Sequence, residues 1–163
     1  MEFTKEYIST LIDKYGNTLL RLAYTYLKNK ADAEDILQDV FLKLIDKKPI
    51  FSDENHEKAW LIRVTINLCK NKINLFWNKN KCPVDEIGEV YTYDNYNVNS
   101  SVLNAVCSLK EKYRVVVYMY YYEGYSTEDI ARYIGKTGAY VRSLLHRART
   151  KLKNILKEDY DFE

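Results

Sequence analysis

Proline and glycine are scarce, with two and five in 163 residues. A turn-rich β-sandwich or barrel needs such residues at its reversals, so their scarcity favours helices. Cysteine is nearly as rare. Cys69, Cys82 and Cys107 are odd in number, far apart and without a Cys-x-x-Cys pair. That usage argues against a disulfide framework or a zinc site and for reduced thiols in a cytoplasmic protein. No apolar run approaches the ~18 residues that a membrane-spanning helix requires, so no membrane insertion is expected. Met1-Glu2-Phe3-Thr4-Lys5 lacks a basic end followed by an apolar core, so a secretory signal is not expected either. A glycine-rich phosphate loop, paired histidines and a Gly-x-Ser-x-Gly nucleophile motif are also missing. The chain is therefore not expected to be an enzyme or to carry a metal or cofactor.

What is present is a globular balance of 47% apolar and 29% charged residues, enough for one medium domain or two small ones. Net charge is only +2 and does not by itself announce a nucleic-acid binder; its distribution says more. Lys58 to Lys81 holds six Lys/Arg and no Asp/Glu, and Ala131 to Lys157 holds eight and none. Asp32 to Asp39 holds four acids and no base. Two basic stretches and one acidic stretch suggest two polyanion contacts and a third partner of another kind.

Apolar residues at three- and four-residue steps predict a helix from residue 3 to about 30, through Ile8, Leu11, Tyr15, Leu19 and Leu22. A second is predicted over Ala31 to Asp46, with Asp32 as candidate N-cap and Pro49 as stop. After a polar loop to about Glu57, a third runs from Lys58 to Phe76. Residues 79–100 carry no helical stripe and are dense in Asn, which reads as a linker. Beyond it, Val115 to Tyr122 has the β-branched and aromatic content of a buried strand, but no partner strand or hairpin signal lies nearby, so a buried helix is preferred. The expected fold is all-α: two small helical domains joined by a flexible linker, the C-terminal one a helix-turn-helix.

That last motif is the most informative segment. Ser126-Thr127-Glu128-Asp129 offers a hydroxyl cap and early acids, Ile130, Ala131 and Ile134 a buried stripe, and Gly135 a tight turn. A longer helix starting near Gly138 or Ala139 places Val141, Leu144, Leu145, Ala148, Leu152 and Ile155 inward and Arg142, Ser143, His146, Arg149 and Lys153 outward. A helix fits the major groove, Arg can pair in bidentate fashion with guanine, and flanking cations neutralise phosphates. The alternative use of the same pattern is a solvated surface helix.

Three segments make the pattern specific: Leu109 to Val116, Glu123 to Ala131 and Val141 to Leu152, with its Arg147-Ala148-Arg149. They resemble the fourth conserved region of extracytoplasmic-function (ECF) sigma factors. In the first half, Arg21-Leu22-Ala23 and Ala33 to Leu42 resemble the polymerase-binding second region. Trp60 to Asn67 resembles its promoter-melting segment.

The resemblance implies a factor that binds core RNA polymerase through its clamp helices and flap, directs promoter recognition and melts DNA, with the chemistry left to the polymerase. Its domains would be 1–78 (region 2), 79–100 (linker) and 101–163 (region 4). Asp35, Gln38, Asp39, Phe41 and Leu42 would contact the polymerase. Trp60, Arg63, Asn67, Lys70 and Asn71 would meet the −10 DNA, with Lys72 as a further phosphate contact. Tyr140, Arg142, Ser143, His146, Arg147 and Arg149 would meet the −35 DNA. From the residues alone Trp60 reads as core packing in preference to a wedge or stacking platform, and His56 as a solvated loop residue. An anti-sigma factor is a conceivable further partner. Tyr140 stands where the family usually has a small Thr, and Asn74 where it commonly has Arg; both bear on promoter sequence. Competing readings are a polymerase-independent helix-turn-helix regulator and a pure protein-interaction module.

Overall fold

The structure, a computed structural model, describes residues 3–79 and 100–159. Among the described residues seven α-helices run in chain order and no strand occurs. The chain divides into two compact units, Met1–Tyr91 and Thr92–Glu163. No helix in the described residues is long and apolar enough to cross a membrane.

In the first unit α1 (Lys5–Leu27), α2 (Lys30–Lys47) and α3 (Glu54–Lys79) pack against one another. Their apolar stripes meet in a core of Leu11, Leu19, Ala23, Ile36, Val40, Leu44, Leu61, Ile62 and Ile66, each almost wholly removed from water. Truncating a fully buried side chain such as Leu44 to Ala would cost ~2–5 kcal/mol, part transfer and part cavity. Thr4 caps α1, its Oγ1 accepting from Tyr7 N–H at 3.1 Å. Asp32 is not the cap of α2. Asn29 takes that place, its Oδ1 accepting from Asp32 N–H at 2.9 Å, and Asp32 lies in the first turn where its charge suits the helix dipole. Lys28 and Lys48 end α1 and α2 in the left-handed conformation.

The loop after α2 is shorter than expected. Helix α3 begins at Glu54, so the last part of the predicted loop, from Glu54 to Glu57, is helical. Asp53 Oδ1 accepts from His56 N–H at 2.8 Å, and His56 Nδ1 accepts from Ser52 N–H at 3.1 Å. This resembles a capping box shifted by one residue: Asp53 caps the helix, and His56 reaches back to the N–H of Ser52, the residue before the cap. His56 is thus a capping residue and not a loop residue.

In the second unit α4 (Ser100–Ser108) and α5 (Glu111–Val117) lead into a π-helical turn, Tyr118–Tyr122. The apolar run is therefore helical, with Val115, Val116, Val117 and Met119 buried. Helix α6 (Thr127–Ile134) and α7 (Gly138–Asp159) come next. Ile130, Ala131, Val141, Leu144, Leu145 and Ala148 fill the contact between them and α5, while Leu152 and Ile155 stay half-buried. Arg114 is buried too, its Nη1 donating to Leu109 O at 2.6 Å. The predicted linker falls on residues that, but for 79 and 100, lie outside those described.

Candidate nucleic-acid and polymerase interfaces

The turn of the helix-turn-helix is set by local chemistry. Ser126 Oγ accepts from Asp129 N–H at 3.1 Å. Glu128 and Asp129 occupy the positive end of α6. Gly135 closes the helix at φ 70°, a conformation that L side chains resist. Thr137 Oγ1 then accepts from Tyr140 N–H at 3.1 Å, starting α7.

Burial of Val141, Leu144, Leu145 and Ala148 fixes the rotation of α7. Tyr140, Arg142, Ser143, His146, Arg147 and Arg149 are all exposed. At 3.6 residues per turn, Arg142, His146, Arg149 and Lys153 fall within about 60° of one another, while Tyr140 and Arg147 lie on a separate flank. Arg142 is not idle: its Nη1 is 3.6 Å from Glu128 Oε1 on α6. Lys136 Nζ lies 5.5 Å from the centroid of the Tyr140 ring, so the bulky phenol carries a cation with it.

On α3 Trp60, Arg63, Asn67 and Asn71 follow at steps of three or four residues, and Lys70 lies three beyond Asn67, which puts the five on one side of the helix. Arg63, Asn67 and Asn71 are exposed, and Lys70 is half-buried. Trp60 is half-buried, its ring edge-to-face with Phe51 at 5.9 Å; Phe51 meets His56 at 5.5 Å. Lys72 departs from the expectation. It lies on the flank facing α2, where its Nζ is 3.1 Å from Asp32 Oδ1 and 3.9 Å from Asp35 Oδ2. That flank lies away from Arg63, Asn67 and Asn71, so Lys72 is not placed with the phosphate candidates.

The acidic face of α2 is also built by helical spacing. Asp35, Gln38, Asp39 and Leu42 are exposed on adjoining turns. Leu42 at 62% and Ile45 at 43% are large apolar side chains left open to water, beside these acids. Phe41 is corrected. It is only 7% exposed and sits on the buried side of α2, so it supports the face and does not belong to it.

Sequence reasoning missed three arrangements. Glu57 is buried and accepts from Tyr7 Oη at 2.6 Å and Tyr15 Oη at 3.3 Å, fastening the start of α3 to α1. The pairing of Glu128 with Arg142 and that of Tyr121 with Arg149 also went unread. Tyr15 on an apolar stripe was the one available signal, since a buried phenol needs a partner. Among the described residues no three His, Cys, Asp or Glu side chains are grouped to hold a metal.

The geometry can be set against known proteins. The Sigma-70 region 2 model matches residues 11–74, and the Sigma-70 region 4 model matches residues 100–152. The chain belongs to the sigma-70 family, as an ECF-type RNA polymerase sigma factor. Among its relatives, RNA polymerase sigma factor SigV of Bacillus subtilis is 26% identical over 162 residues, covering 96% of this chain and 95% of SigV. The ECF sigma factor SigE of Mycolicibacterium smegmatis is 26% identical over 155 residues, covering 90% of this chain. The chain spans 60% of the length of that SigE. In structure, the sigma factor RpoE of Bartonella quintana, solved with the anti-sigma factor NepR, is similar with a TM-score of 0.79. The likeness covers 96% of this chain and all of that one at 21% identity. CnrH, solved with the cytosolic domain of CnrY, gives a TM-score of 0.68 at 20% identity, over 97% and 92%. At these identities the structural likeness speaks for the fold. In this sigma factor, α1–α3 lie largely within the region 2 match and α4–α7 largely within the region 4 match.

Proposed function

We propose that this sigma factor binds core RNA polymerase, directs it to promoters and opens the DNA there, while the polymerase performs the reaction. The observation that carries the reading is a combination within one chain. An exposed acidic and apolar face on α2 stands in one unit, and a capped helix-turn-helix with a cationic outer face in the other. Charge steers docking and apolar area holds it, so Asp35, Gln38, Asp39 and Leu42 suit the basic clamp helices of the polymerase; the flap is a second contact. Residues 1–78 and 101–163 are the two functional domains in this reading, joined by 79–100. Arg63, Lys70, Asn67 and Asn71, with Trp60, meet the −10 element, where unpaired bases expose their edges and faces. Tyr140, Arg142, Ser143, His146, Arg147 and Arg149 meet the −35 element. A cytoplasmic place of action follows from these partners. An anti-sigma factor is a further partner, by analogy with the complexes of RpoE with NepR and of CnrH with CnrY.

The test is reconstitution. Purified chain is mixed with core polymerase, co-purification is scored, and run-off transcription from a promoter library reads where synthesis begins. The expected result is a stable complex with a new set of start sites. Tight sequence-specific DNA binding with no attachment to core would instead establish a polymerase-independent regulator. Attachment without initiation would establish a pure interaction module.

A further inference from the structure

The tyrosine-rich turn ahead of the helix-turn-helix belongs to none of the three proposed contact surfaces. Tyr118–Tyr122 is wound as a π-helix, with Glu123 N–H donating to Tyr118 O at 3.1 Å, five residues back. A π turn holds an extra residue, which rotates the succeeding residues relative to the helix before it, and such turns concentrate at functional sites. Here Val115, Val116, Val117 and Met119 remain buried while Tyr121 emerges to 58% exposure. Tyr118 stacks on Tyr122 at 5.2 Å and its hydroxyl donates to Glu123 Oε1 at 2.5 Å, bracing the turn.

Toward α7 the turn presents a platform for one cation. Arg149 Nε donates to Tyr121 Oη at 2.5 Å. The guanidinium carbon lies 5.6 Å from the centroid of the Tyr121 ring and 5.9 Å from that of Tyr120. These two rings meet edge-to-face at 4.9 Å. The bond to Tyr121 uses the Nε–H and none of the four Nη hydrogens, which form the outer end of the guanidinium fork. Arg149 lies two turns beyond Arg142 on the same side of α7, about 10 Å farther along the axis. In a helix laid in the major groove, the N-terminal residues meet base edges, so a cation two turns later is set for the sugar-phosphate backbone.

We infer that Tyr120 and Tyr121 are positioning residues that hold Arg149 as a phosphate contact on the −35 side, and that Arg149 is not a reader of bases. A long flexible side chain loses rotamer freedom when it binds; fixing it beforehand removes part of that loss. The inference rests on the −35 reading of α7.

The experiment uses reconstituted holoenzyme and a set of promoter fragments differing singly in the −35 element. Tyr121→Phe keeps the ring and removes the hydroxyl; Arg149→Ala removes the cation; the double variant combines them. Each single change is expected to weaken binding roughly three- to tenfold, by the same factor on every −35 sequence. Arg149→Ala is expected to lower the slope of log affinity against log salt by about 1. The double variant is expected to bind no more weakly than Arg149→Ala alone. A purely structural tyrosine would give additive losses, and Arg149→Lys with unaltered affinity would remove the need for a held fork; either overturns the proposal. A loss confined to one base position, or no loss from Tyr121→Phe, overturns it as well. If the unaltered holoenzyme has no −35 preference at all, the underlying −35 reading fails instead, which the same fragments report.

Discussion

Arg142 is the side chain on which the −35 proposal turns, and its surroundings decide what it has to give up. Its ion pair with Glu128 is exposed on both sides, so it is worth ~0–1 kcal/mol. A bidentate contact to guanine is worth ~1–3 kcal/mol of discrimination. The guanidinium can therefore leave Glu128 for a base with net gain. Arg142→Ala is expected to cost ~1–3 kcal/mol at one −35 position and to relax choice there, measured by holoenzyme binding to singly substituted promoters. A uniform loss over all sequences would make Arg142 a phosphate contact. Buried groups give predictions of another kind. The Cys69 thiol is fully buried, and burial pushes its pKa up to about 12 against the lowering effect of Lys72. It should resist alkylation at pH 8 in the native chain and react once denaturant is added. Tyr15 is pushed up to about 12 by burial, then by the charge and hydrogen bond of Glu57, and burial raises Tyr7 and Tyr125 as well. The unfolded phenol releases its proton near pH 10, while the folded one still holds it. Deprotonation therefore favours the unfolded chain: the contribution is intact below about pH 10 and is lost as pH rises toward 12. Denaturant midpoints should fall gently from about pH 8.5, where the unfolded Cys69 thiol ionises, and more steeply above 10, less steeply there in Tyr15→Phe. A midpoint that rose in that range would contradict the assignment.

At the scale of elements, the turn between α6 and α7 separates backbone strain from side-chain crowding. Gly135 has φ 70° and open space around a notional Cβ, so Gly135→Ala carries strain alone and should cost about 1 kcal/mol or more. A Cβ at Gly138 would come within 3.1 Å of Arg142 Nη1. Gly138→Ala should thus leave melting nearly unchanged and alter −35 choice by displacing that arginine. Thermal melts and the promoter set together check both; equal destabilisation by the two changes would refute the distinction. The same region indicates how far the sequence can be read. The stripes of α6 and α7, a hydroxyl cap at Ser126 or Thr127 and the Gly135 stop are local, and each was legible because a 3.6-residue period and a hydroxyl before two acids need no distant partner. The start of α3 was not, because a histidine can complete a cap only through the geometry of Ser52 and Asp53. The π turn was not, because nothing in the local residue pattern marks its extra residue. Which exposed cations of the site have partners was least legible of all. Lys72 with Asp32, Arg142 with Glu128 and Arg149 with Tyr121 join residues on different helices, and spacing along one helix cannot reveal them.

For the molecule as a whole, a net charge of +2 leaves little general attraction for DNA, so each proposed contact is weak alone. Two such contacts become strong when a third surface ties the chain to a large scaffold that presents both DNA elements, because the second and third contacts are then intramolecular. This predicts different failures for different surfaces. Asp35→Ala with Gln38→Ala weakens the grip on the polymerase and leaves α7 untouched. At limiting sigma factor it should depress run-off transcription from all promoters together. Raising the sigma factor concentration should restore it, since mass action refills the core. Arg142→Ala acts inside the assembled complex, so excess factor should raise total output without returning the lost base preference. Competition for core against unaltered chain measures the first effect, and the promoter ranking at saturation measures the second. If Asp35→Ala with Gln38→Ala changed the ranking, or competed for core as well as the unaltered chain, the exposed face of α2 would not be the grip.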